Sequence, residues 1–170
     1  MADKNNVVRL LEARHIPFQL IAFSPEIHSA AGVAEAAGLP PSEVYKTLVV
    51  LRSDPKARPM LVMLAGDREL DLKRVARAVN DKKVRMAAHR EAEELTGLQV
   101  GGISALALLN RPFEVYVDRP ALELEQIAVS AGQRGLNVRL AVADLLRLTR
   151  ARPIEATAPA SAHGPSTQPD

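Results

Sequence analysis

Two runs rich in Val, Leu and Met, residues 47–52 and 60–65, flank a segment, 53–59, that holds two prolines. Proline fixes φ and has no amide to give to a strand ladder, so the segment reads as a longish loop and the two runs as a hairpin. Aromatic residues are only 3% of the chain, so Val, Leu, Ile, Ala and Met must fill the core. The same scarcity argues against a reader of single-stranded RNA, which needs exposed rings for bases to stack on.

Other elements follow from spacing and punctuation. Val7, Leu10 and Leu11 have helical spacing, which predicts a helix over residues 5–14. Pro17 precedes an extended stretch, 18–23. Ser29 is placed to cap a short Ala-rich helix ending at Gly38, with Pro40 and Pro41 just beyond. Asp71 is an N-cap for a helix carrying Leu72, Val75, Ala76 and Val79 on one face. Residues 83–86 read as a strand, 88–95 as a short helix and 96–104 as a glycine-bearing loop. Strands are expected at 113–117, 126–130 and 136–140, and a helix over 142–150 closes the fold. From Arg152 onward the chain is mostly Pro, Ala, Ser and Thr with little to bury. Residues 1–151 are therefore expected to form one domain and 152–170 a disordered tail.

A length of 170 residues suits a single domain. Helices interleave with strands, but most strand connections are short. The expected architecture is a mixed α/β domain with a largely antiparallel, barrel-like mixed sheet flanked by helices. Leu48, Val50, Leu61, Met63, Val75, Val79, Val115, Val117 and Val129 are expected in one core, from their places on the apolar phases. The absence of cysteine excludes disulfides and thiolate metal sites. The first residues are polar before they become amphipathic, unlike a signal peptide, and no apolar run approaches the roughly 20 residues that span a bilayer. A cytoplasmic protein with no membrane partner is expected. A net charge of +2 is compatible with a nucleic-acid partner but falls far short of a dedicated duplex binder.

Common catalytic constellations are missing. His15, His28, His89 and His163 show no metal-binding spacing, so no metal is expected. Neither a P-loop nor G-x-S-x-G occurs, and Gly101-Gly102 lacks the third glycine and preceding strand of a dinucleotide site, so no cofactor is expected. Three segments remain unusual. In residues 44–50 a lysine and a threonine open an apolar strand; alone, that is also how a solvated strand end looks. Residues 96–104 carry three glycines, which serve either a turn or close approach to another strand or a ligand. Residues 129–136 place Arg134 at a turn between strands, which a plain hairpin would also explain.

In order and spacing these segments resemble the YbaK/ProX family of aminoacyl-tRNA deacylases, which is related to the editing domain of bacterial prolyl-tRNA synthetases. The matching stretches are V-Y-K-T-L-V at 44–49, L-D-L-K-R-V-A-R-A at 70–78, T-G-L-Q-V-G-G-I-S at 96–104 and V-S-A-G-Q-R-G-L at 129–136. Within the family the YbaK branch, which clears cysteine from tRNA for proline, is the most similar. The resemblance covers residues 5–150 and implies a YbaK-like fold. It implies a trans-editing enzyme that deacylates misacylated tRNA, with Cys-tRNA(Pro) the first substrate and another small amino acid such as alanine the alternative. A non-catalytic tRNA- or nucleotide-binding module of the same fold is the rival reading. The implied partners are aminoacyl-tRNA, specifically tRNA(Pro), and as a candidate prolyl-tRNA synthetase.

Residue by residue, the resemblance makes Lys46 the indispensable lysine, and Gly101 and Gly102 the loop that approaches the ester and the terminal adenosine. Thr47, Ser130, Arg134 and Gly135 fall on pocket-facing segments, Phe23 and Ser29 wall the amino-acid pocket, and Tyr45 and Ile103, beside the catalytic positions, join them as implied substrate-binding residues. No side-chain nucleophile is implied, because a cysteinyl thiol attacks its own ester; cyclisation would make the enzyme a lyase, attack by water a hydrolase. The sequence departs from the family at three places: Ala105 where proline is common, Ser29 where the nearest branch is aromatic, and Asn137 where an acidic residue is frequent. A basic stretch, Lys73, Arg74, Arg77, Lys82, Lys83 and Arg85, reads either as a solvated face or as a contact for the tRNA backbone.

Overall fold

The structure, a computed structural model, describes residues 5–27 and 29–158. Its first helix, α1 (Asn6–Ala13), starts where the Asn5 side chain accepts hydrogen bonds from the Val7 and Val8 amides, and it turns Val7, Val8 and Leu11 inward. Strand β1 (Phe18–Ala22) follows, then α2 (Ala30–Ala37) between its Ser29 cap and Gly38. The expected hairpin is present as β2 (Tyr45–Leu51) and β3 (Met60–Ala65), with Lys46 opposite Leu64 and Val50 opposite Met60. Asp71 caps α3 (Leu72–Ala78) as expected, through the amides of Lys73 and Arg74. Then come β4 (Arg85–Met86), only half of the strand expected there, and α4 (His89–Thr96). Strands β5 (Glu114–Asp118), β6 (Gln126–Gln133) and β7 (Leu136–Ala141), helix α5 (Val142–Thr149) and a last strand β8 (Arg152–Ile154) complete the order.

The mixed α/β expectation holds, while the described strands close no barrel. Among the described residues the strands form two open sheets, β1-β7-β6 and β4-β2-β3-β5-β8. The first is antiparallel throughout. In the second, β3 pairs with β5 and β5 with β8 in parallel. A parallel pair needs a long crossover, and α3 and α4 lie in the first of these while β6, β7 and α5 lie in the second. An isolated parallel bridge, Val44 with Ala128, joins the sheets.

Strand alternation also corrects the single core. Tyr45, Val49, Leu61, Met63, Val117 and Val129 point to one side of their strands and share a cluster with α1 and α5 residues. Val50, Met60, Val62 and Tyr116 point to the other side, where Val75 and Ala76 of α3 cover them. Eight of the nine expected core residues are therefore divided between two clusters, Leu61, Met63, Val115, Val117 and Val129 in one and Val50, Val75 and Val79 in the other, with Val79 and Val115 only half-buried; Leu48 is buried but belongs to neither.

The tail expectation fails over its first residues. Arg152–Ile154 adds β8 to the edge of β5, Ile154, Ala156 and Thr157 are buried, and Thr157 bridges Leu70. The segment is short and contains Pro153, so nothing local marks it as a strand. Its pairing is supplied by β5, which lies far back in the chain. Residues 159–170 lie outside the described residues.

Candidate functional site

Alternation sends Val44 and Lys46 to the side of β2 away from the larger core, and it does the same for Ala128 and Ser130 of β6. The Val44–Ala128 bridge sets these two rows side by side. Val44 and Ala128 are buried with Val33 and Ala34 of α2, and Phe23, Ile27 and Ala30 pack against them. Lys46 and Ser130 take the next places in each row, beyond this apolar wall. Helix α2 lies close to the exit of β3 because Gly66 has no side chain; a Cβ there would stand 2.8 Å from that of Ala30.

The chain then turns over Lys46. The Gly66 amide donates to the Val44 carbonyl at 2.8 Å, and the Lys46 ammonium donates to the Arg68 carbonyl at 2.9 Å. Among the described residues no carboxylate pairs with Lys46. Burial pulls its pKa down from 10.5 to about 8, against the opposing pull of Glu69 and Asp67. The ammonium is thus charged at neutral pH, partly desolvated and held by a neutral oxygen. Residues 66–70 escape a motif reading, because the group that holds Lys46 is a backbone carbonyl. Only Gly-Asp directly after an apolar strand hints at a tight turn there.

A second group forms where the β6–β7 turn meets two loops. The Phe23 amide donates to the Gly135 carbonyl at 3.0 Å, and the Arg134 guanidinium donates through Nε to the Val100 carbonyl at 2.8 Å. Gly102 presses on this turn: a Cβ would stand 2.9 Å from the Arg134 nitrogen and the Gln133 carbonyl carbon. Gly101 has φ +96°, where a side chain is strained. Of the two uses open to these glycines, the close approach present is to another turn of the chain. The Gly102 amide is committed to the Gln99 carbonyl at 2.8 Å. Among the described residues the amides of Gly101 and Ile103 keep no such partner.

The structure therefore brings Phe23, Gly101, Gly102, Arg134 and Gly135 into contact, and it links Lys46 to them through α2 and the Val44–Ala128 bridge. It does not put Tyr45 and Thr47 beside Lys46. Neighbours in a strand face opposite ways, so both turn to the larger core; Tyr45 is 2% exposed, its hydroxyl pKa raised by burial and then by nearby Asp118. The Ile103 side chain is buried in that core too. Ser130 uses its hydroxyl locally, accepting from the Gly132 amide at 3.1 Å where β6 is irregular. Ser29 caps α2 through the Gly32 amide at 3.0 Å. Ala105 has φ −63°, the value a proline ring would impose, so the loop keeps the shape proline would give it.

The chain and its fold are similar to known proteins. The family model "Aminoacyl-tRNA editing domain" matches residues 24–148. A protein of Enterococcus faecalis named "Putative Cys-tRNA(Pro)/Cys-tRNA(Cys) deacylase EbsC" is 35% identical over 157 residues, 91% of this chain and 94% of that one. A proline–tRNA ligase of Acidithiobacillus ferrooxidans is 30% identical over 115 residues, which cover 67% of this chain but only 19% of the ligase. The solved structure described as "a putative trans-editing enzyme for prolyl tRNA synthetase" superposes with a TM-score of 0.77 at 25% identity, covering 92% of this chain and 99% of that one. With the matched model spanning the apolar wall, the Lys46 strand, the glycine loop and the β6–β7 turn, the chain belongs to the aminoacyl-tRNA editing domain family.

Proposed function

We propose that this chain is a trans-acting deacylase that removes a wrong amino acid from tRNA, with Cys-tRNA(Pro) its first substrate. The observation that carries the reading is Lys46, a partly desolvated ammonium with a carbonyl partner and, among the described residues, no carboxylate paired with it. An aminoacyl ester is already activated, so its cleavage needs positioning and stabilisation of the developing oxyanion more than a protein nucleophile. Lys46 supplies a compact cation for the ester or the terminal phosphate. The free amides of Gly101 and Ile103 are the loop's candidate donors, with Gly102 providing the fit to the turn rather than a donor. Phe23 and the α2 wall are assigned to the side chain of the amino acid, with Ser130, Arg134 and Gly135 on the β6–β7 side.

With cysteine as the amino acid, sulfur attacks the carbonyl carbon. A C–S bond forms, the C–O bond to the ribose breaks, and the thiol proton ends on the ribose oxygen. Cysteine fits the need for a second sieve, since a proline pocket discriminates against similar or smaller side chains by only about 1–3 kcal/mol per methylene. The name of the Enterococcus relative supports the same substrate, and the ligase match supports prolyl-tRNA synthetase as a partner. Of the basic stretch, Arg74 is paired with Asp71 and Glu155, and Arg85 with Glu91. Lys73, Arg77, Lys82 and Lys83 are exposed and unpaired among the described residues, beginning on α3 just past the Lys46 turn. They suit the phosphates of the tRNA acceptor end.

The test is deacylation of Cys-tRNA(Pro), Ala-tRNA(Pro), Pro-tRNA(Pro) and Cys-tRNA(Cys) under identical conditions. Cysteinyl esters should be cleared while alanyl esters persist. Equal loss of alanyl and cysteinyl esters would replace the substrate thiol by water, and no loss of any ester would favour a non-catalytic binding module.

A further inference from the structure

The segment after β8 does more than close a sheet edge. The Ala156 carbonyl accepts from the Asp71 amide at 2.8 Å, at the end of the turn that covers Lys46. The Thr157 hydroxyl accepts from Arg68 Nη1 at 3.0 Å and donates to Asp118 Oδ2 at 2.6 Å. The other Asp118 oxygen accepts from the Ala156 amide at 2.8 Å. Asp118 is 1% exposed and Thr157 5%, so this carboxylate is satisfied almost wholly by the strap. A hydroxyl has one proton to give, and Thr157 spends it on Asp118 while its lone pair takes the guanidinium.

A continuous path results, from Asp118 through Thr157 and Arg68 to the Lys46 ammonium. The turn is fixed at its start by the Gly66–Val44 hydrogen bond and at its end by Asp71–Ala156. Its middle, where the carbonyl that holds Lys46 lies, is fixed by the Arg68 side chain on Thr157. We propose that Thr157 and Asp118 are positioning residues for Lys46: the C-terminal strap sets the turn, and the turn sets where the ammonium stands. The proposal rests on the reading of Lys46 as the working cation. Neither residue is a catalytic residue; both act through Arg68.

Thr157→Val keeps the shape and removes both hydrogen bonds, whereas Thr157→Ser keeps them. Two readouts separate positioning from bulk stability. One is the single-turnover rate on Cys-tRNA(Pro), with its KM-against-kcat split. The other is the titration of the Lys46 side-chain nitrogen by NMR, which needs no activity. Thr157→Val should lower kcat about tenfold with KM within about twofold, as expected of a small misplacement. It should also raise the Lys46 titration point by roughly one unit, toward that of a solvated lysine. Thr157→Ser should match wild type in both. A Thr157→Val protein with unchanged kcat and titration, or a Thr157→Ser protein as impaired as Thr157→Val, overturns the proposal. Should Thr157→Val not fold, Arg68→Met cuts the same path and leaves Asp118–Thr157 intact; a wild-type titration in that variant is equally fatal. If the wild type deacylates nothing, the functional reading falls while the titrations still decide the strap.

Discussion

Lys46 and Arg52 project from the same face at opposite ends of β2, and their surroundings are opposite too. Arg52 is satisfied inside the fold: its Nε pairs with Glu114 at 2.8 Å, and its terminal nitrogens reach the Val79 carbonyl at 3.1 Å and the Tyr116 hydroxyl at 3.3 Å. The Glu114 hydrogen bond, foremost, holds its pKa above the ordinary guanidinium range. Lys46 has one neutral carbonyl, and burial pulls its pKa down. One charge ties β2 to α3 and β5. The other, among the described residues, has no charged partner, and on the proposed function it is left for the substrate. A cation completed by its own protein is a brace, and a cation kept incomplete is an offer to a ligand.

The largest expected effect tests that division. Lys46→Ala should lower single-turnover deacylation by roughly 10²–10³, the scale of losing a contact that strengthens in the transition state. Arg52→Met should leave the rate within about twofold. Equal losses would erase the contrast. Next, deleting residues 155–170 strips the buried Asp118 of the Ala156 and Thr157 donors and should cost roughly 2–4 kcal/mol by chemical denaturation. An unchanged denaturation midpoint would show the strap to be dispensable.

Arg52→Met should cost roughly 1–3 kcal/mol, the range for hydrogen bonds to charged groups, while Lys46→Met costs nothing or stabilises at neutral pH. The smallest effect is a slope. Folded Lys46 gives up its proton near pH 8 and the unfolded chain near 10.5, so between those values the unfolded chain binds more protons and stability rises with pH. Falling pH removes that contribution as Lys46 charges, and below about 8 the loss is complete. Wild type minus Lys46→Met should show this rise across pH 8–10.5. A flat difference would mean that Lys46 is solvated like any surface lysine. Arg52 should contribute no slope in that window, its pKa lying higher still.

Much of the fold was legible because its signals are local. Ser29 and Asp71 announce the helices they cap, and the prolines of 53–59 interrupt a pair of runs whose apolar residues face each other as expected. The turn glycines could be read as marking close approach, though only the register of Gly102 against Arg134 says to what. The rest depends on distant partners. Arg152–Ile154 becomes a strand through β5, and the group that holds Lys46 is a carbonyl that every residue possesses. A motif groups Tyr45 and Thr47 with Lys46, but strand pleating turns them to the opposite face. A motif records neighbours along the chain, and a site is made of neighbours across it.

The bridge between Val44 and Ala128 gives the molecule a seam. Lys46 stands on one sheet and Ser130 and Arg134 on or beside the other, so the candidate site straddles the joint between two sheets that share a core but keep their own ladders. A slide along that joint would change the gap between cation and turn without breaking a strand pair inside either sheet. On the proposed function, an ester gripped from both sides would act as a rivet across the joint, and amides flanking Val44 and Ala128 should exchange with solvent more slowly when it is in place.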